Sequence, residues 1–224
     1  MASKENELIL LDFWASMFAM RVKIALAEKG ITDYECREED IVVSKSPFLL
    51  QMNPVHKKVP VLIHNGKPIC ESLIIVEYID EVWNQTSPLL PTDPYLKSHA
   101  KFWADFVDKK VYPAQFKIWG KKEGSQEETK KEFIDILKTL EQELGDKCYF
   151  GGDNIGFVDI ALIPYYSWFH TYEHFSGLSF EAECPHIIGW AKRCLLKDSV
   201  SSSLADMDKV LEAITEFRKF KGIA

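Results

Sequence analysis

The chain has 224 residues, of which 46% are hydrophobic and 27% are charged, and its formal net charge is -7. This composition is typical of a globular protein with a substantial core, and it excludes a disordered or fibrous chain. The negative charge argues against nucleic acid as a partner, because binding to a phosphate backbone needs clustered Lys and Arg.

Cysteine usage and the N-terminus indicate the compartment. The five cysteines form no C-x-x-C motif and no zinc-binding spacing. An odd, scattered set suits a reducing cytosol better than a disulfide framework. The segment 1–7 is charged and lacks the apolar core of a signal peptide, and apolar runs such as 73–76 are too short to cross a bilayer. We therefore expect a cytosolic protein without a metal site and without a membrane partner.

The first third of the chain alternates strand and helix signals. Residues 8–13 form an apolar run typical of a strand buried on both faces, and Ser16 is a candidate N-cap for a helix that ends at Gly30. Residues 34–40 predict a short second strand. Two further strands, 61–64 and 68–70, predict a hairpin across Asn65-Gly66. A βαβ unit followed by ββα is the thioredoxin-like order, which predicts an α/β N-terminal domain.

The remainder of the chain is helical in period. The segment 84–94 holds three prolines and reads as a linker between predicted domains 1–83 and 95–224. Pro113 predicts the end or a kink of the first helix after the linker. Two apolar stripes mark the first helices, namely Leu96, Ala100, Trp103 and Val107, and then Phe133, Ile136, Leu137, Leu140 and Leu144 before Gly145. Segments 158–172, 187–197 and 207–221 complete a predicted all-α C-terminal domain.

The segment 59–72 carries the strongest functional signal. Pro60 cannot donate to a sheet ladder, so it belongs at a strand start or in a tight turn, where a cis peptide bond is an option. This arrangement leaves the backbone N–H and C=O of Val59 able to pair with something outside the sheet. Ser72 heads an apolar helix whose positive end favours a carboxylate. A small, extended, acidic peptide would suit both features.

Six motifs along the chain resemble the tau class of soluble glutathione transferases of plants. They are residues 12–16 (DFWAS), 20–21 (MR), 25–30 (ALAEKG), 51–58 (QMNPVHKK) and 156–159 (GFVD), together with the arrangement at 59–72 described above. The resemblance covers essentially the whole chain. It implies a homodimer in the cytosol with glutathione as co-substrate and no prosthetic group. It also implies conjugation of glutathione to hydrophobic electrophiles such as xenobiotics and herbicides, together with a glutathione-dependent peroxidase activity.

Ser16 is the candidate catalytic residue. A model thiol with a pKa of about 8.5 is mostly protonated at neutral pH, and lowering that pKa by about two units requires roughly 2.7 kcal/mol. One hydrogen bond to a charged acceptor supplies roughly 1.5–3 kcal/mol, so a single hydroxyl beside the sulfur is enough. The simpler alternative is that Ser16 only caps its helix. A triad nucleophile is disfavoured, because no G-x-S-x-G motif surrounds Ser16.

The resemblance implies roles for the other residues that bind glutathione. Lys45 and Lys58 would hold the carboxylate of the glycine residue, and Val59 would pair with the peptide backbone. Glu71 would pair with the γ-glutamyl ammonium and Ser72 with its carboxylate. Taken singly, the lysines could also be solvated surface residues, and Glu71-Ser72 could be an ordinary helix cap.

The resemblance also implies an open apolar pocket for the electrophile. Its predicted lining consists of Phe13, Tyr112, Phe116, Trp119, Trp168 and Phe217, and core packing is the competing interpretation for each. Asp159 is similar to an internal folding cap of the family, although Gly156 has no side chain to complete a reciprocal capping box. The chain departs from the common tau pattern at Ala15, Met17 and Ala19, next to Ser16.

Two other functions remain as alternatives. The aromatic residues would also suit a non-catalytic carrier (ligandin) of hydrophobic metabolites. A thiol transferase or dehydroascorbate reductase on the same fold is disfavoured, because such relatives carry Cys where this chain has Ser16.

Overall fold

The computed structural model of the chain describes residues 7–86, 88–120 and 126–223. The chain divides into two units, 1–90 and 91–224, and the division falls inside the segment predicted to be the linker.

The first unit is built on a four-stranded mixed sheet with the order β2-β1-β3-β4. Its strands are β1 (Leu8–Asp12), β2 (Glu35–Glu38), β3 (Val61–His64) and β4 (Lys67–Cys70). β1 pairs parallel with β2 and antiparallel with β3, and β3 pairs antiparallel with β4. Asn65 and Gly66 have φ values of 52° and 75°, as a two-residue hairpin turn requires. The predicted thioredoxin-like α/β domain is confirmed.

Three helices accompany this sheet, namely α1 (Met17–Glu28), α2 (Pro47–Met52) and α3 (Ser72–Val82). α1 stops where predicted, because Gly30 takes a φ of 71°, which a glycine adopts without steric cost. α1 and α3 contact each other. A separate apolar cluster joins α2 to the sheet through Ile9, Leu11, Leu49, Val61 and Ile63.

The regular secondary structure that the structure describes in the second unit is helical, apart from one isolated β-bridge between Tyr149 and Gly152. Its longer helices are α4 (Pro94–Phe106), α5 (Tyr112–Trp119), α6 (Gln126–Leu144), α8 (Phe169–Ser176), α10 (Pro185–Leu195) and α12 (Met207–Phe220). Shorter helices are α7 (Phe157–Leu162), α9 (Phe180–Glu183) and α11 (Asp198–Ser201). Across the described ranges, no helix combines the length and apolar character needed to cross a membrane.

Two predictions about the helices of the second unit can be compared with the structure. A π-helical turn, Val107–Val111, separates α4 from α5, and Pro113 lies in the first turn of α5. Since Pro113 has no N–H to give to a carbonyl four residues earlier, the helix changes register just before it instead of ending there. The predicted stripe on α4 is wrong at its start, because Leu96 is 53% exposed while Val107 is buried.

Asp159 holds the start of α7 in place. Its fully buried carboxylate accepts hydrogen bonds from the backbone N–H groups of Phe150, Gly151 and Gly156 at 2.9 Å each, and from the indole of Trp190 at 2.7 Å. Burial raises the pKa of this carboxyl, whereas the four donors favour its ionised form. The structure therefore gives Asp159 the structural role that was predicted.

Candidate active site

The register of the sheet brings four predicted site residues to one edge. Leu11 pairs with Val61, and Val61 pairs with Cys70 on its other side. Because β1 and β4 both run antiparallel to β3, the segments after β1, before β3 and after β4 leave the sheet together. These segments carry Ser16, Val59, Glu71 and Ser72.

Ser16 is the N-cap of α1. Its backbone is extended (φ -74°, ψ 110°), and its Oγ accepts a hydrogen bond from the N–H of Ala19 at 3.2 Å. Ser16 thus caps its helix, but the cap hydrogen bond uses only one lone pair of the hydroxyl oxygen. The half-buried hydroxyl of Ser16 donates no hydrogen bond to another described residue. Its proton is therefore available to a ligand, so the cap role and the donor role are compatible.

Val59 lies beside Ser16 at this edge, immediately before β3. The Val59–Pro60 peptide bond is cis, as the sequence allowed. Pro60 is buried, and Val59 is half-buried. Within the described residues, the backbone N–H and C=O of Val59 make no hydrogen bond. Both groups are available for pairing with an extended peptide.

Glu71 has an unusual backbone conformation directly after β4. Its φ of 71° with ψ of 117° lies in a region that residues other than glycine rarely adopt. Its side chain gives no hydrogen bond to the first turn of α3, so those amides keep their capacity for an outside acceptor. The carboxylate of Glu71 lies 3.8 Å from Nε2 of His56 and is about half exposed.

Ser72 is the first residue of α3 and is buried. Its Oγ accepts a hydrogen bond from Nη1 of Arg21 at 3.1 Å. Ser72 therefore combines a hydroxyl with the positive end of a helix, which is a favourable seat for a carboxylate.

The two predicted lysines flank these residues in sequence, but their ammonium groups form no hydrogen bond or ion pair with the other described site residues. Lys45 precedes α2, whose N-cap Ser46 accepts from the N–H of Leu49 at 3.0 Å and donates to Glu39 at 2.7 Å. Lys58 is exposed. Among the described residues, neither ammonium group forms an ion pair with a carboxylate. Their role on a ligand carboxylate stays a prediction.

Comparisons with known proteins match both units of the chain. The family described as glutathione S-transferase, N-terminal domain, matches residues 6–81, and the corresponding C-terminal domain family matches residues 123–193. Glutathione S-transferase U19 of Arabidopsis thaliana is 61% identical over 96% of this chain and 97% of its own length. The chain belongs to the tau class of the glutathione S-transferase family.

Solved structures of tau-class relatives agree with this membership. Rice GST1 in complex with glutathione superposes with a TM-score of 0.91 at 44% identity, over 96% of this chain and 98% of that one. A tau-class glutathione S-transferase from mango superposes with a TM-score of 0.87 at 40% identity, over 93% of this chain and 97% of that one. The resemblance that the sequence motifs indicated is confirmed.

The predicted pocket aromatics of this tau-class chain are only partly exposed. In the second unit, Trp119 has ring centroids of Phe116, Trp168 and Phe217 at 4.9, 5.5 and 6.5 Å. Trp119 and Trp168 are 9% and 7% exposed, whereas Phe116 and Tyr112 are 47% and 40% exposed. Burial favours packing as one role of the two tryptophans. Phe13 lies in the first unit, half-buried, with its ring 6.1 Å from that of Trp14.

Another surface of the second unit forms a groove of about 530 Å³, and it contains none of these aromatics. Its lining consists of Phe106, Lys110, Glu128, Lys131, Glu132, Asp135, Ile136 and Thr139. Within the described residues, no group of three or more His, Cys, Asp and Glu could hold a metal ion.

Sequence reasoning missed two residues that organise the site. Asn53, which is buried, accepts from the N–H of His56 and donates to the carbonyl of Lys58, both at 3.0 Å, and so fixes the loop before Val59. Arg21 is the partner of Ser72. For Asn53 and for Arg21, the only signal in the sequence was a polar side chain within a segment that resembles the family.

Proposed function

We propose that this tau-class chain binds glutathione at the edge of the first unit and activates its thiol with the hydroxyl of Ser16. The observation that carries the proposal is the single hydrogen bond at Ser16 Oγ. The N–H of Ala19 occupies a lone pair of that oxygen, and the hydroxyl proton has no acceptor among the described residues. A thiolate beside this proton would accept a charge-assisted hydrogen bond.

The rest of the peptide would follow the same edge. The cysteinyl backbone would pair with the available N–H and C=O of Val59. The γ-glutamyl group would place its ammonium on Glu71 and its carboxylate on Ser72, and Lys45 and Lys58 would attract the glycine carboxylate. The complex of rice GST1 with glutathione, at 44% identity, supports glutathione as the ligand.

The activated thiolate would attack hydrophobic electrophiles, including xenobiotics and herbicides, and would also reduce organic hydroperoxides. The aromatic residues Phe13, Tyr112, Phe116, Trp119, Trp168 and Phe217 are proposed to contact the electrophile. A homodimer in the cytosol is proposed from membership in the tau class.

The decisive test is conjugation of glutathione to chlorodinitrobenzene by the purified chain, with the ultraviolet absorbance of bound thiolate measured in parallel. We expect turnover and a bound thiol whose pKa is well below that of free glutathione. Binding of hydrophobic dyes without turnover, and with an unshifted thiol, would instead identify a carrier.

A further inference from the structure

The turn between β1 and α1 carries the proposed thiol donor, and one peptide group holds this turn in shape. The C=O of Phe13 accepts a hydrogen bond from the N–H of Ser16 at 2.8 Å, which closes a four-residue β-turn. The N–H of the same peptide group belongs to Trp14 and donates to Oε1 of Glu38 at 2.7 Å. A single planar peptide group therefore joins the carboxylate of Glu38 to the backbone of Ser16.

The carboxylate of Glu38 takes the place of a strand partner. The parallel ladder between β1 and β2 ends at the pair of Asp12 and Glu38, and the N–H of Glu39 donates to the C=O of Asp12 at 2.8 Å. Trp14 lies beyond this last pair, so the described backbone of β2 offers its amide no acceptor. A backbone N–H that is partly removed from water needs an acceptor, and Trp14 is half-buried. The side chain of Glu38 supplies that acceptor.

The hydrogen bond from Trp14 to Glu38 affects Ser16 through the peptide group that they share. An ionised carboxylate accepts shorter and stronger hydrogen bonds than a neutral oxygen does, in agreement with the distance of 2.7 Å. Hydrogen bonds in a chain polarise one another, so the C=O of Phe13 is a better acceptor when the N–H of Trp14 is paired. On its other side, Ser16 is held by α1, because its C=O accepts from the N–H of Ala19 at 3.0 Å. The turn and the helix together define where the hydroxyl of Ser16 lies.

We propose that Glu38 is a positioning residue for Ser16, which fixes the Phe13–Trp14 peptide group and thereby holds the Ser16 hydroxyl at the sulfur of glutathione. This inference rests on the proposed function, in which that hydroxyl donates to the thiolate. The negative charge of Glu38 by itself would oppose ionisation of a nearby thiol. Loss of the hydrogen bond and loss of the charge should therefore move the pKa of the bound thiol in opposite directions.

Two substitutions of Glu38 separate the hydrogen bond from the charge. Glu38→Gln keeps a side-chain oxygen of the same reach without the charge, whereas Glu38→Ala removes both. The pKa of bound glutathione would be measured from thiolate absorbance, together with the pH profile of kcat and the melting temperature. We expect Glu38→Ala to raise the pKa of the bound thiol by about 0.5–1 unit, about half of the effect of losing the Ser16 hydroxyl itself. The pH profile of kcat should move by the same amount, and Glu38→Gln should raise neither.

A double-mutant cycle shows whether Glu38 acts through Ser16. Two substitutions are non-additive in such a cycle when one residue exerts its effect through the other. The Ser16→Ala protein has no hydroxyl left to position. Adding Glu38→Ala to it should therefore leave the pKa of the bound thiol at the value of Ser16→Ala alone.

Glu35 provides a matched control on the same strand. It is also exposed, but its carboxylate pairs with Nε of Arg37 at 2.7 Å and makes no hydrogen bond to the turn. Glu35→Ala removes the same charge from β2 and should not raise the pKa of the bound thiol.

An unchanged or lowered thiol pKa in Glu38→Ala would overturn the inference, and so would an equal rise in Glu38→Gln. The same rise in the presence and in the absence of the Ser16 hydroxyl would also overturn it. Each of these results leaves the proposed function intact as long as the wild type lowers the thiol pKa. If the wild type does not lower it, the proposed function fails and this inference fails with it. If Glu38→Ala does not fold, Glu38→Asp replaces it, because that side chain keeps the charge but is one methylene group too short to reach Trp14.

Discussion

Replacing Ser16 by Ala separates the two roles of its hydroxyl by magnitude. Loss of the cap to the N–H of Ala19 should lower the free energy of unfolding by about 0.5–2 kcal/mol. Loss of a hydrogen bond to a thiolate should cost roughly 1.5–3 kcal/mol of preference for the anion. At 1.36 kcal/mol per unit, the pKa of the bound thiol should rise by about 1–2 units, which returns it toward the value of about 8.5 for a free thiol.

The assay is a pH titration of thiolate absorbance in the complex of glutathione with each protein. We expect the titration curve of Ser16→Ala to move to higher pH, and kcat for chlorodinitrobenzene at neutral pH to fall about 3- to 25-fold with the thiolate fraction. Binding of glutathione should change much less than kcat, because the hydroxyl favours the ionised sulfur more than the peptide as a whole. Ser16→Thr keeps the hydroxyl and should keep a lowered thiol pKa.

Ser46→Ala is a matched control, since Ser46 also caps a helix of the first unit. It should lower the melting temperature without moving the thiol pKa. If Ser16→Ala behaves in the same way, with the thiol pKa still lowered, then Ser16 is only a helix cap and the reasoning about thiol activation is refuted.

Three further predictions test other parts of the structure. Glu71→Gly should raise the melting temperature, because it relieves backbone strain of about 1–3 kcal/mol, and should weaken glutathione binding in calorimetry; lower stability would contradict the strain argument. Burial and the nearby Asp12 carboxylate raise the pKa of Cys36 to about 11. Alkylation of Cys36, measured by mass spectrometry, should therefore be about 100-fold slower at neutral pH than alkylation of an ordinary thiol. The rate of alkylation should increase as the pH rises toward 11. Rapid labelling of Cys36 at neutral pH would refute that shift. Trp119→Ala should lower the free energy of unfolding, measured by denaturant titration, by about 3–5 kcal/mol because Trp119 is buried. Phe116 is exposed, so Phe116→Ala should lower it by less than about 1.5 kcal/mol. Equal losses in the two variants would contradict this argument from burial.

Local patterns were sufficient for the sheet and for the start of α1. The Asn65-Gly66 turn fixes the hairpin register, and Ser16 and Gly30 stand at the positions where cap chemistry places helix ends. These features depend on neighbours within a few positions, so a single sequence contains their cause. Pro60 likewise marked the edge at which the strands bring the candidate site residues together.

Features that depend on distant partners were not predictable in the same way. The apolar period of α4 suggested that Leu96 is buried, but whether a helix face is covered depends on elements far along the chain. The polarity of Arg21 suggests an exposed residue, and only folding shows its partner on α3. Trp119 illustrates a third limit, since an aromatic residue in a pocket wall and one in a core have the same sequence pattern.

One criterion separates Ser46 from the two serines of the first unit that are proposed to bind the peptide. Each hydroxyl has one proton, and what decides its role is where that proton goes. At Ser46, Oγ accepts from the backbone and donates its proton to Glu39, so its capacity to donate is satisfied within the fold. At Ser16 and Ser72, Oγ accepts from a group that can only donate, an amide in one case and a guanidinium in the other. The fold therefore leaves two hydroxyl protons at the same sheet edge. The proposed peptide would place its sulfur beside one of them and its carboxylate beside the other. The sulfur and the carboxylate are both hydrogen-bond acceptors when ionised.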